Sequence, residues 1–143
     1  MQEKLIIYYT DDDTDDLEMF DQAARAVKVE AKTFQNGKEL IDAVNNPPPK
    51  PAIIFVDLNM PIMSGYDVIK KLKSLDDYAD VPIVVLSTAN DPATILKSRQ
   101  AGADYYITKP TSFAKLKSAI EFTIDMKWRT FKPSEKGFVY KPV

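Results

Sequence analysis

The chain has 143 residues, 19 of them basic and 21 acidic, for a formal net charge of −2, and it contains neither cysteine nor histidine. That length suits one domain burying roughly 70% of its unfolded surface, and the near-balanced charge makes no general case for nucleic acid or a membrane as partner. Without cysteine there is no disulfide framework, thiolate metal site or thiol catalysis; without histidine the commonest general base and metal ligand are gone, as is any phosphohistidine within the chain. The N-terminal run does not read as a signal peptide and no stretch approaches a membrane span, so a cytoplasmic location is the default expectation.

Taken in order, "LIIYY" (5–9) reads as the first strand and runs into "TDDDTDD". Asp13, with Asp16 three residues on, reads as the cap of a first helix whose Leu17, Phe20, Ala24 and Val27 keep a 3.6 period. "VEAKTF" (29–34) is a second strand, Asn36-Gly37 a turn, and Leu40, Ile41 and Val44 a second helix. "NNPPPKP" (45–51) reads as a stiff surface connector rather than a domain boundary, because either half alone is too small for a core. "AIIFV" (52–56) is the third strand, Gly65 a turn, and Val68, Ile69 and Leu72 the third helix. "PIVVL" (82–86) is the fourth strand, followed by Asp91-Pro92 as N-cap and N1 and by a weaker stripe of Ile95, Leu96 and Arg99. "DYYI" (104–107) is the fifth, and Thr111-Ser112 precedes a last helix through Phe113, Leu116 and Ile120. Strands apolar on both faces, alternating with helices, predict an α/β domain with a parallel five-stranded sheet covered on both sides.

In open sheets of this kind, sites form beyond the carboxyl ends of the strands. Standing there are Asp11 and Asp12, then Asp57, then Ser87 and Thr88, then Lys109. Several carboxylates of one sign demand a counter-charge, and an all-oxygen donor set without histidine suits a hard cation, Mg2+ ahead of Ca2+ or Zn2+. A cation, a lysine and a hydroxyl around one carboxylate is equipment for handling a phosphoryl group.

"YYTDDDTDD", "IIFVDLNMPIMSGYD", "PIVVLSTA" and "ADYYITKP" resemble, in order and spacing, the signature segments of the receiver domain of two-component response regulators. The most specific piece is Asp57-x-x-Met60-Pro61-x-x-x-Gly65 behind an apolar strand, with Lys109-Pro110 in independent support. The resemblance implies a doubly wound, flavodoxin-like (βα)5 fold with strand order 2-1-3-4-5. By position it implies Asp57 as phosphoacceptor and Asp11 and Asp12 as the acidic pair for Mg2+, with Asp12 a direct ligand and Asp11 acting largely through water. It further implies a backbone carbonyl ligand from Asn59, Ser87 as the switch hydroxyl, Lys109 as the partner of the phosphoryl group and Tyr106 as the switch aromatic. The implied partners are a sensor histidine kinase or a histidine phosphotransfer protein upstream and a protein target downstream. A receiver domain over 1–125 and an extension over 126–143 are expected to make a stand-alone response regulator, not itself an enzyme in the ordinary sense.

Three consecutive aspartates leave the acidic pair open by one residue, and the cap role of Asp13 favours Asp11 and Asp12. Counting from Pro82 favours Ser87 over Thr88 as the switch hydroxyl, with Thr88 in reserve. Two other metal chemistries fare worse. Asp11, Asp13 and Asp15 fit the first positions of an EF-hand loop, but Asp16 and Gln22 stand where that loop needs Gly and Glu. A phosphohydrolase with an aspartate nucleophile would want a later acidic pair, and residues 88–125 supply none. Finally, the stripe of the last helix continues to Ile124, Trp128 and Phe131 before Pro133. This predicts a helix over 112–131, about 30 Å long, whose overhang, with "GFVY" (137–140), would make a homodimer.

Overall fold

In the computed structural model, which describes residues 5–46, 50–128 and 137–141, the apolar runs become strands β1 (Ile6–Thr10), β2 (Glu30–Phe34), β3 (Ile53–Val56), β4 (Ile83–Ser87) and β5 (Tyr105–Thr108). Helices α1 (Thr14–Ala26), α2 (Gly37–Asn45), α3 (Gly65–Ser74), α4 (Pro92–Ala101) and α5 (Phe113–Asp125) alternate with them. All strand pairs are parallel, in the order β2-β1-β3-β4-β5. Successive side chains of a strand face opposite sides of a sheet, and the core divides accordingly. Tyr8, Ile54, Val56, Val85 and Tyr106 face one side, with Leu40, Ile69 and Leu72 of α2 and α3. Ile7, Tyr9, Phe55, Val84 and Ile107 face the other, with Leu17, Phe20, Leu116 and Ile120 of α1 and α5. No helix among the described residues is long and apolar enough to cross a membrane.

Each helix starts at a side chain that accepts the orphan backbone N–H groups of its first turn: Asp13, Asn36, Ser64, Asp91 and Ser112. The expected caps at Asp13, Asp91 and Ser112 are all in place, and the turns expected at Asn36-Gly37 and Gly65 are helix entries. Asp16 does not return to the cap backbone as a capping box would require; that motif is formed instead by Ser64 and Asp67.

The strands begin one residue later than expected, and β1, β4 and β5 also end one later, on Thr10, Ser87 and Thr108. These polar residues stay in the ladder: Asp57 N–H donates to the Thr10 carbonyl at 3.1 Å and Lys109 N–H to that of Ser87 at 2.7 Å. On α4 the turned-in residue is Ser98, while Leu96 is half exposed. Ile95 packs against the core as expected and Arg99 is half-buried, so of the stripe read from the sequence only Leu96 faces out.

The helix expected over 112–131 ends at Asp125. Met126 takes an extended conformation (φ −67°, ψ 142°), and the Trp128 indole Nε1–H donates to the Thr123 carbonyl at 3.0 Å, satisfying one of the last-turn carbonyls. Ile124, Met126 and Trp128 pack on the α1/α5 side of their own core, and Phe138 is buried on the opposite side. Phe131, Pro47, Pro48 and Pro49 lie outside the described residues. The overhanging helix on which the dimer expectation rested does not form, and the "GFVY" segment docks on its own domain.

Candidate functional site

Two ladder bonds, Thr10 to Asp57 and Ser87 to Lys109, fix the strand ends of β1, β3, β4 and β5 side by side, so the residues that follow share one rim. Asp11 is wholly buried and Asp57 nearly so, whereas Asp12 is exposed. One carboxylate oxygen from each of Asp11, Asp12 and Asp57 lies within 4.8 Å of the others. The Lys109 ammonium, its side chain mostly buried, sits 2.7 Å from Asp11 Oδ2, 2.9 Å from Asp16 Oδ2 and 3.7 Å from Asp57 Oδ1.

Asp11 is the most constrained of the three acids. Its Oδ1 accepts from Asp13 N–H at 3.0 Å, and its Oδ2 accepts from both Lys109 and the buried Tyr9 hydroxyl. Asp57 has less support. Burial, and then the charge of Asp11, push its carboxyl up to about 6; Lys109 and the Asn59 backbone N–H act against that shift. Burial alone would pull the Lys109 ammonium down, but its bonds to Asp11 and Asp16 and the charge of Asp57 hold it above its ordinary value. Burial, and then Asp11, raise the Tyr9 phenol as well. The donor set is thus three hard oxygens with one internal cation already drawn to Asp11 and Asp16, and its unrelieved repulsion falls on Asp57. That is the chemistry a small divalent cation relieves.

The connection after Asp57 is built on Gly65. An added Cβ there would stand 2.3 Å from the Asp57 carbonyl oxygen and 2.6 Å from Leu58 Cα, so only glycine lets α3 start so close to the phosphoacceptor candidate. Gly65 N–H donates to the Leu58 carbonyl at 3.0 Å, closing the loop. Within that loop Asn59 is exposed, and Ile62, wholly exposed, adopts a left-handed φ of 69°.

On the neighbouring strands, Ser87 is fully buried and its Oγ accepts from Ala89 N–H at 3.3 Å, while Thr88 is exposed. Tyr106 is also fully buried, on the same face of the sheet as Val85, and its hydroxyl donates to the Ala89 carbonyl at 2.6 Å. Burial raises the Tyr106 phenol, with the adjacent Ser87 hydroxyl acting in the other direction. All the residues singled out from the sequence thus stand at one end of the sheet. Asp16 and Tyr9 were missed as members of this network. The surplus of carboxylates over lysine was a signal for Asp16, because a lone cation among several acids is shared.

Fold and site together define a doubly wound α/β protein with an acidic, lysine-bridged centre at the carboxyl edge of its sheet. The model of the response regulator receiver domain matches residues 7–121, and the chain belongs to that family. The transcriptional regulatory protein PrrA of Mycobacterium bovis is 29% identical over 138 residues, which are 96% of this chain and 57% of PrrA. The chain thus spans little more than half the length of that relative. Among solved structures, the phosphorylated cyanobacterial phytochrome response regulator RcpA aligns with a TM-score of 0.75 at 25% identity, over 90% of this chain and 96% of RcpA. The chemotaxis protein CheY4 of Vibrio cholerae shares the fold, with a TM-score of 0.76 at 22% identity over 84% of this chain and 98% of CheY4.

Proposed function

We propose that Asp57 accepts a phosphoryl group from a phosphohistidine on a sensor kinase or phosphotransfer protein, and that Ser87 and Tyr106 convert its arrival into a signal for a downstream protein. The observation that carries this reading is a nearly buried Asp57 that shares one acidic cluster with Asp11 and Asp12 and stands 3.7 Å from the Lys109 ammonium. The phosphorylated state of RcpA, a relative in fold, supports the same chemistry.

Asp11, Asp12 and Asp57, with the Asn59 backbone carbonyl, would hold Mg2+. When bound, the ion supplies neutralisation of the charge gathered on carboxylate and phosphoryl oxygens. In the transfer, a carboxylate oxygen of Asp57 attacks phosphorus, the new P–O bond forms as the P–N bond to the donor imidazole breaks, and an acyl phosphate results. Lys109 pairs with the incoming phosphoryl oxygens, its 3.7 Å separation from Asp57 leaving a short reach to make. Asp11, tied by three hydrogen bonds, fixes where Lys109 starts. Ser87 then gives up the Ala89 N–H to bond a phosphoryl oxygen, and the Tyr106 ring fills the space that hydroxyl vacates, so that the β4–α4 loop passes between two states.

The test is intact mass after incubation with Mg2+ and acetyl phosphate. One added phosphoryl group on the wild type and none on Asp57→Asn is the expected result. Equal labelling of the variant would move the nucleophile elsewhere, and no labelling of either would overturn the phosphoacceptor reading.

A further inference from the structure

Lys109 and the acids leave one feature of the site unexplained: Tyr106 is held inside the protein from the far side, by the returning tail. Tyr106 N–H donates to the Phe138 carbonyl at 2.9 Å, and Tyr140 N–H donates to the Tyr106 carbonyl at 2.8 Å. Val139 thereby forms a parallel bridge with Tyr106 along the outer edge of β5, which would otherwise be an open edge. The Phe138 ring, 1% exposed, lies 6.3 Å from that of Tyr106 in the same core cluster. Tyr140 completes the dock by packing on Phe122 and Tyr105. Helix α4 packs against the same cluster through the partly buried Ile95 and Ala101, while Phe138 contributes a fully buried ring.

We propose that Phe138 is a positioning residue for Tyr106, through which the docked tail favours the inward Tyr106 and with it the phosphoryl-bound state of the site. The inference rests on the reading of Ser87 and Tyr106 as the switch. Its logic is a linkage. The inward ring carries the hydroxyl that is bonded to the Ala89 carbonyl, and the Ala89 N–H is the group Ser87 must release. The ring is already inward while Ser87 still holds the Ala89 N–H, so whatever keeps it there spares the phosphoryl-bound state the cost of turning it in. By reciprocity, a phosphoryl group must tighten the tail on β5 by the same factor. Phe138, Val139 and Tyr140 dock on Tyr105, Tyr106 and Phe122, which are not metal-ligand candidates, so metal affinity is expected to lie outside this coupling.

The probe is beryllofluoride with saturating Mg2+, titrated into the full chain and followed by the fluorescence of Trp128, which packs on Tyr105 beside the tail. Phe138→Ala should weaken beryllofluoride binding by roughly five- to tenfold, at the lower end of couplings between sites, with Mg2+ affinity unchanged. Phe138→Leu should recover most of it. Should Phe138→Ala not fold, Tyr140→Pro removes the N–H donated to Tyr106 while leaving Phe138 in place, and the same loss is expected. A merely structural role for Phe138 would lower the melting temperature and leave beryllofluoride affinity alone, which would overturn the proposal. Tighter binding by Phe138→Ala would also overturn it, by making the tail an inhibitor. Wild type that is labelled by acetyl phosphate yet shows no difference from the variants sinks the positioning role only; wild type that takes neither probe sinks the phosphoacceptor reading and this inference with it.

Discussion

Lys109 is held by Asp16, 2.9 Å away on the first turn of α1 and 93 residues distant in the chain. The ammonium is thereby kept on the Asp11 side of the site, at 3.7 Å from Asp57. Asp16 competes with Asp57 for the lysine that the phosphoryl group will need. Asp16→Asn should loosen it, leaving the bond to Asp11 as its remaining tether. Because the Asp16 side chain is 39% exposed, the pair is worth only the modest energy of a screened ion pair, and beryllofluoride affinity should rise about two- to fivefold. Weaker binding in this variant would mean that Asp16 orients Lys109 rather than restraining it.

The raised Asp57 carboxyl has a consequence for stability in the absence of metal. Its folded-state value is about 6, against 3.8 as the ordinary value, with burial as the first cause and Asp11 as the second. A folded state that binds the proton more tightly than the unfolded one is favoured most below pH 3.8, and that advantage is lost as pH rises through 6. Asp57→Asn lacks the titration. The melting temperature of the variant minus that of metal-free wild type should therefore grow between about pH 4 and pH 6 and level off above pH 7. Mg2+ should shrink the difference at neutral pH by relieving the repulsion in wild type. A difference independent of pH across that window would show that Asp57 is not under this strain.

What the sequence made legible, and what it did not, follows the range of the interactions. The caps at Asp13, Asp91 and Ser112 bond backbone within three residues of themselves, so a local reading finds them. A parallel sheet covered on both sides was legible from strands apolar on both faces, while its doubly wound order came from the resemblance. The strand ends were misplaced by a residue because Thr10, Ser87 and Thr108 are polar yet paired, and pairing across a ladder is invisible to apolarity. Asp16 was assigned to its own helix cap because its partner, Lys109, is brought to it by the fold alone. The tail misled for a different reason. Ile124 and Trp128 are partly buried, as a helical stripe would be, but against their own core along a path that leaves the helix at Met126. Periodicity records that a residue wants burial, not which surface provides it.

Asp12 and Asp13 are adjacent acids with separable jobs. Asp13 accepts from the N–H groups of Asp15 at 2.9 Å and Asp16 at 3.1 Å, which is a cap. Asp12 is exposed and contributes an oxygen to the acidic cluster. Asp13→Ala should cost about 1 kcal/mol of stability, the usual loss of an N-cap, with Mg2+ affinity close to wild type. Asp12→Ala should do the reverse, weakening Mg2+ by at least about tenfold, since even outer-sphere partners of metal ligands cost that much, while leaving the melting temperature of the metal-free protein unchanged or higher. Titration with Mg2+ and thermal melts on both variants settle the register of the pair. A greater loss of metal binding in Asp13→Ala would shift it by one residue.

Ile62 stands in the loop between Asp57 and Gly65 with its side chain wholly exposed and a φ of 69°. A β-branched residue in the left-handed region crowds its own backbone, at a cost on the order of 1–3 kcal/mol. No buried apolar area offsets that cost, because the side chain contacts solvent. Asparagine is among the residues that enter this region most readily, so Ile62→Asn should remove much of the strain without loss of packing. A gain of about 1 kcal/mol would raise the melting temperature by roughly 2–4 °C for a chain of this size. The neighbouring Gly65 gives the control in the opposite direction. Gly65→Ala places a Cβ 2.3 Å from the Asp57 carbonyl oxygen, which only movement of backbone can relieve, so it should lower both the melting temperature and beryllofluoride affinity. An Ile62→Asn variant less stable than wild type would show that the exposed isoleucine is held by a contact rather than by strain.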